Sequence, residues 1–233
     1  MTQGKRLMRP EYKAVPKPWP HSTVFIVGGG PSAKGINWER LRGKNVLATN
    51  AAAFLLPIGI AEYAVFSDKP FLRSFRAQLR GYVDSGGTLI FIPTTGRPTE
   101  ETDHWIYHVQ RLNGRKNWGI STDPSIVRWN RSTGGCAINI AYLLGANEIV
   151  LIGFDMKPDN GNHNWHEAYN SCYASGEKGW CAKPPASHYT ASGMIKAFDP
   201  ITVELEKMNV KLWNTTFGSA LEKIPYKPLE EFL

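Results

Sequence analysis

Short runs in which nearly every position is apolar recur along the chain, at 24–28, 45–50, 62–67, 88–93, 148–154 and 210–214. They are rich in Val, Ile and Phe and do not alternate with polar residues. That pattern fits strands buried on both faces, as in a parallel sheet covered by helices on each side. Between them the apolar spacing lengthens to that of a helix at 70–84, 134–145 and 192–208, with shorter turns near 37–42 and 51–56. Strands alternating with helices predict an α/β fold built on a doubly wound, mainly parallel sheet. Two stretches interrupt the rhythm. Residues 96–130 are polar and aromatic, and residues 156–187 are a long run of Gly, Asn, Trp and Tyr. Insertions of this length in a compact domain are typically lids or binding surfaces.

In a Rossmann-like sheet of this kind the ligand lies outside the carboxyl ends of the strands, so the residues just after each strand are the candidates. They are Gly28, Gly29, Gly30, Pro31 and Ser32, then Asn50, Asp68, Thr94 with Thr95, and Asp155. An amide, two carboxylates, hydroxyls and glycine-rich backbone suit a polar nucleotide sugar. Two places stand out: Val24-Phe25-Ile26-Val27 running into Gly28–Ser32, and Ser132-Thr133-Gly134-Gly135 opening an apolar helix. Glycines let backbone N–H groups approach an anion, and a helix start offers free N–H donors with a partial positive charge. Together they predict a nucleotide diphosphate or nucleotide sugar held between them. Each also has a plainer use, a glycine turn demanded by packing and a Ser/Thr cap worth about 1 kcal/mol without a ligand. Gly28-x-Gly30-x-x-Ala33 satisfies the dinucleotide fingerprint only in its relaxed form. The second strand ends in Asn50 where a ribose-binding acid belongs, and Gly35, Asn37 and Trp38 interrupt the helix that should follow, which argues against NAD or FAD.

A length of 233 residues with 42% hydrophobic content supports one domain, placed at 22–233, behind a basic, Pro-rich N-terminal arm at 1–21. Lys5, Arg6, Arg9, Lys13 and Lys17 against Glu11 put +4 of the +7 net charge in that arm, which is expected to be solvated. No run reaches the roughly 18 apolar residues of a membrane span, and the first residues lead into prolines rather than a signal-peptide core. The expectation is a soluble, cytoplasmic protein with no membrane partner. Cys136 falls in the apolar helix and should pack as a small hydrophobe, while Cys172 and Cys181 read as free thiols rather than a disulfide or metal pair.

The blocks VFIVGGGPSAKGINWERL, ATNAA, VFSD and STGGCAINIAYLLGANEIVLIGFDM cover roughly residues 23–68 and 130–156. In this order they resemble the bacterial sialyltransferases of glycosyltransferase family 42, their flagellin-modifying, motility-associated-factor-like relatives, and a group of phage-encoded proteins. Archaeal hydroxymethylpterin diphosphokinases share a related scaffold, so the resemblance implies the fold more firmly than the reaction. It implies that Gly28 to Ser32 and Asn50 contact the donor's phosphate and ribose, that Ser132, Thr133 and Gly134 line the same pocket, and that Asp155 lies near the nucleoside. It also implies a nucleotide-sugar donor as co-substrate, no permanently bound cofactor and no metal requirement.

Four positions depart from that pattern. Asp68 replaces an asparagine near the donor sugar, and a carboxylate there would bind sugar hydroxyls but repel an anionic sialic acid, which favours a neutral sugar. Gly29 replaces an asparagine of the first loop. Lys157 stands where a tyrosine steadies the leaving phosphate, and would act there as a point charge. Ser192 occupies the place of the catalytic histidine, a few residues after Ser187-His188-Tyr189.

Candidate bases are therefore His188 and His166, with Asp68 as a sugar-positioning group or substitute base; His163 of His163-Asn164-Trp165-His166 joins the donor site. Arg73, Arg76 and Arg80 follow helical spacing. A solvated face is the plain reading of such a stripe. With Arg111 and the basic aromatic segment 104–118 it would form an acceptor groove for DNA or another anion, charges on phosphates and rings on bases. The function expected is a glycosyltransferase moving a sugar to an acceptor hydroxyl, such as a hydroxymethylated base in phage DNA, in which case it works in the host cytoplasm. The alternatives are a magnesium- and ATP-dependent diphosphokinase-like enzyme and a non-catalytic nucleotide or nucleic-acid binding module.

Overall fold

The computed structural model describes residues 12–93, 105–170, 184–185 and 187–233. Thr94, Thr95, Cys172, Cys181 and the first part of the N-terminal arm lie outside the described residues. The strands are β1 Ser22–Val27, β2 Asn45–Thr49, β3 Tyr63–Phe66, β4 Thr88–Phe91, β5 Ile106–His108, β6 Gln110–Leu112, β7 Ile126–Arg128, β8 Ala146–Ile152 and β9 Lys211–Asn214. Seven form one parallel sheet in the order β5-β4-β3-β2-β1-β8-β9, and β6 pairs β7 in a separate parallel ribbon. This is an α/β, Rossmann-like fold.

Each expected strand is present with its ends shifted by two residues or fewer. The sheet is buried on both sides, as the unbroken apolar runs require. Val24, Ile26, Leu47, Val65 and Ile90 pack on one face, and Phe25, Val27, Val46, Ala48 and Phe66 on the other. On the first face lies helix Thr133–Leu144, with 10 of its 12 residues buried. Such a helix is apolar nearly all round, and it stops where Gly145 takes a left-handed φ of 113°.

Three expectations are corrected. The helix expected over 70–84 is two helices, Lys69–Ser74 and Arg76–Asp84, broken at Phe75 (φ −116°, ψ 23°). Phe75 is buried against Phe54, Phe71 and Tyr169, with ring centres 5.3, 5.1 and 5.8 Å away, so aromatic packing holds the break. Second, the 96–130 insertion contributes β5 to the sheet and both strands of the ribbon. Third, residues 12–21 are solvated along most of their length but anchored to the sheet domain at two positions. Val15 and Trp19 are 4% and 5% exposed, Trp19 packs edge-on against Tyr63 at 5.0 Å, and its backbone N–H donates to the Leu144 carbonyl. Burying two such side chains stabilises by a few kcal/mol, enough to hold a proline-rich segment down. No helix among the described residues is long and apolar enough to cross a membrane.

Candidate functional site

Strand order reverses between β1 and β8, so a crevice opens beyond their carboxyl ends. A cavity of about 330 Å³ occupies it. Gly28, Gly29 and Gly30 come from the turn after β1, Asn50 and Asp68 follow β2 and β3, and Ser132, Thr133 and Gly134 start the long helix. Lys157 and His163 come from the loop after β8. The fold thus brings these predicted residues around one space.

The glycine turn is shaped by close packing. A Cβ on Gly28 would stand 2.7 Å from the Gly153 carbonyl oxygen, and one on Gly30 would stand 2.1 Å from Asp155 Oδ2. Its polar groups are largely consumed inside the protein: the Gly28 and Gly30 N–H groups donate to the Ile152 and Gly153 carbonyls. Trp165 donates its backbone N–H to the Gly29 carbonyl and its indole N–H to that of Gly28. Pro31 has no N–H, and the Ser32 N–H and hydroxyl both donate to Asp155, at 3.0 and 2.8 Å. Only the Gly29 N–H of this turn has no acceptor among the described residues. Asp155, Ser32 and Pro31 therefore sit behind the turn rather than in the cavity wall. Asp155 is 6% exposed, and burial raises its pKa against the lowering effect of the Ser32 bonds.

At the helix start the accounting differs. Ser132 caps it by accepting from the Gly135 N–H at 3.0 Å, and the Thr133 hydroxyl is shared with Ser67 at 2.9 Å. The N–H groups of Thr133 and Gly134 have no acceptor among the described residues, and both residues face the cavity. Two cations stand at its rim, Lys157 and Arg131. Arg131 takes a left-handed φ of 62° and donates through Nε and Nη2 to the Ser192 carbonyl. Asn50, also left-handed, has its Oδ1 buried without a hydrogen-bond partner among the described residues. Burial raises the Asp68 pKa, opposed by the charge of Arg111 and a hydrogen bond from Ser67. Arg111 is 9% exposed and lies 4.3 Å over the ring of Trp129, itself part of the cavity wall.

The histidines divide. His163 is 7% exposed, lines the cavity and places Nδ1 3.3 Å from the Tyr189 hydroxyl. His166 does not line it. Its ring packs edge-on between Trp165 and Tyr169, at 5.1 and 4.8 Å, and burial pulls its pKa down to about 4. His188 is half-buried at the start of the short helix His188–Ala191 and is also absent from the wall, whereas its neighbour Tyr189 is present. Adjacent helical positions point about 100° apart, and on this turn it is Tyr189 that borders the space. Neither predicted histidine base borders the space; His163 and Asp68 do.

The arginine stripe does not reach the cavity either. Arg73 and Arg76 are exposed on separate helices, and Arg80 pairs with Asp84 at 2.8 Å while lying over Trp105. Sequence reasoning missed Trp129, Arg131, Phe154, Tyr189, Met194 and Phe198, which with Thr49, Gly153 and Met156 complete the wall. Arg131, directly before the Ser132 cap, was open to inference from its position. The apolar members look like core residues in any sequence. Among the described residues no three His, Cys, Asp or Glu side chains gather as metal ligands.

No protein-family model and no curated protein sequence matches the chain. Solved structures do share its fold. The MAf glycosyltransferase from Magnetospirillum magneticum AMB-1 aligns with a TM-score of 0.55 and 14% identity, over 97% of this chain and 36% of that one. The sialyltransferase CstII from Campylobacter jejuni, in complex with the substrate analogue CMP-3FNeuAc, aligns with a TM-score of 0.50 and 16% identity, over 89% of this chain and 87% of that one. The chain spans about a third of the first protein and most of the second. At these identities the likeness is one of fold.

Proposed function

We propose that this protein is a glycosyltransferase that moves a sugar from a nucleotide-sugar donor to an acceptor hydroxyl. The observation that carries the reading is one cavity, at the reversal of strand order, faced by both the Gly28–Gly30 turn and the open N–H groups of Thr133 and Gly134. The donor diphosphate or phosphate sits at the helix start, where those N–H groups, Arg131 and Lys157 offset its charge. Asn50 Oδ1, which no donor among the described residues satisfies, accepts from a ribose hydroxyl. The sugar lies against Asp68, which favours a neutral one.

Reaction is direct displacement at the anomeric carbon. The acceptor oxygen attacks as the bond to the donor phosphate breaks, Asp68 takes the acceptor proton, and the nucleotide leaves against the helix start and the two cations. A carboxylate with a raised pKa is the better base. His163, hydrogen-bonded to Tyr189, positions the donor. This route assigns the leaving-group charge to protein cations and so needs no metal. For the acceptor we propose a hydroxymethylated base in DNA, as a phage carries it into the host cytoplasm; the support is the net charge of +7.

A thermal-shift panel of CMP, UDP, GDP, ADP and TDP, with and without magnesium, tests the donor site. One nucleotide is expected to stabilise the protein without magnesium, and Asp68→Asn is expected to keep that shift while lowering sugar transfer by about 10²- to 10⁴-fold. Magnesium-dependent ATP turnover without sugar transfer would assign phosphotransfer instead, and a panel with no stabilising nucleotide would remove the reading.

A further inference from the structure

Beside the candidate donor cavity lies a second concavity of about 410 Å³, and Trp129 and Arg131 belong to the walls of both. One side of it is the turn bearing Arg115 and Trp118, and the other is the junction of helices His188–Ala191 and Met194–Lys207, bearing Ser192 and Lys196. Arg131 crosses the boundary, its guanidinium held by the Ser192 carbonyl at 2.8 and 2.5 Å. Three cations line this groove, and among the described residues no carboxylate does. The carboxylate of Glu204, farther along the longer helix, is engaged by Arg128 and by the Ile120 N–H. Arg115 lies over one face of the Trp118 ring, 5.4 Å from its centre, so cation and indole already form one platform.

We propose that this groove receives the acceptor and that the acceptor is a single-stranded nucleic-acid segment. Phosphates rest on Arg115 and Lys196, and a base stacks on Trp118, the combination of charge and aromatic platform that unpaired strands use. Across the shared Trp129–Arg131 wall, the strand presents a hydroxyl toward Asp68. Calling the occupant an acceptor rests on the glycosyltransferase reading; its binding does not. The arginines of the two helices after β3 take no part.

Fluorescence anisotropy with a labelled oligothymidylate tests the assignment. Binding is expected at low salt. Arg115→Ala with Lys196→Ala should weaken it at least tenfold and reduce the slope of log affinity against log salt by about 1.4, near 0.7 per lost phosphate contact. Trp118→Ala should weaken it about tenfold with the slope kept. Arg73→Ala with Arg76→Ala should change nothing, and all variants should keep the parent melting temperature and nucleotide shift. Absence of oligonucleotide binding at low salt, binding indifferent to the Arg115/Lys196 double variant, or tighter binding to a sulfated polysaccharide overturns the proposal. If a nucleotide stabilises the protein but the oligonucleotide does not bind, the groove assignment alone fails. If the oligonucleotide binds and no nucleotide stabilises, the donor reading alone fails.

Discussion

Small residues at an element boundary occur twice beside the cavity, after β1 and at the start of helix Thr133–Leu144, and the fold uses them in opposite ways. After β1 the glycines let two turns touch: Gly28 and Gly30 lie against the Gly153 carbonyl, and their N–H groups are spent on β8 and the turn that follows it. At the helix start the cap satisfies the Gly135 N–H and leaves those of Thr133 and Gly134, two residues of the cavity wall, without an acceptor among the described residues. Following every N–H to its acceptor separates a packing turn from an anion site, because a donor already paired inside the protein has little left for a ligand.

The comparison breaks most sharply on glycine replacement. An alanine methyl at Gly30 would stand 2.5 Å from the Gly153 carbonyl, a backbone atom that cannot swing aside, as well as 2.1 Å from Asp155. Gly30→Ala should destabilise the protein by about 3 kcal/mol. For a chain of this size that is a fall of roughly 6 to 12 °C in melting temperature. A methyl at Gly29 meets only the end of the Asn164 side chain, at 3.1 Å, so Gly29→Ala should cost less than about 1 kcal/mol. Calorimetry showing equal losses at the two positions would mean that the turn is not built on the β1–β8 contact.

His166 sharpens the same comparison from the loop that braces the turn. Its folded pKa, near 4, lies below the ordinary value of 6.5, so the unfolded chain binds the extra proton first as pH falls. Stability from keeping the ring neutral is fully present above about pH 6.5 and is lost progressively toward about pH 4. Between about pH 7 and pH 5 the loss is about 2 kcal/mol. His166→Phe, which keeps the aromatic packing on Trp165 and Tyr169, should flatten that part of the denaturation profile. It should leave sugar transfer at neutral pH unchanged, since the ring does not border the cavity. A collapse of transfer in this variant would return His166 to the chemistry.

What was legible in the sequence follows from which interactions are local. Strands such as Phe25–Val27 and Ile149–Ile152 read correctly because burial on both faces leaves an unbroken apolar run, and the topology then names the residues beyond their ends. β5 to β7 hid because Ile106–His108, Gln110–Leu112 and Ile126–Arg128 are three residues long and mix polar with apolar positions. The break at Phe75 is set by rings distant in sequence, and two buried residues, Val15 and Trp19, were masked by the prolines and lysines around them. In the site, the sequence could name the loops but not which side chain each turns inward. That choice depends on anchors such as the Trp165 indole on the Gly28 carbonyl, which holds His166 out of the cavity, and on the helical turn that presents Tyr189 instead of His188.

The smallest effect is expected at Ser132, and it separates the two halves of the helix-start argument. Its hydroxyl oxygen accepts from the Gly135 N–H, so it caps the helix while bordering the cavity. Ser132→Ala removes one side-chain cap at a cost of about 1 kcal/mol. The melting temperature should drop by roughly 2 to 4 °C. The Thr133 and Gly134 N–H groups survive the change because they belong to the backbone, so the shift produced by the stabilising nucleotide should stay close to that of the parent. If nucleotide stabilisation disappears while the melting temperature holds, the serine hydroxyl is itself a phosphate ligand, and the open N–H groups beside it lose their place as the main anion donors.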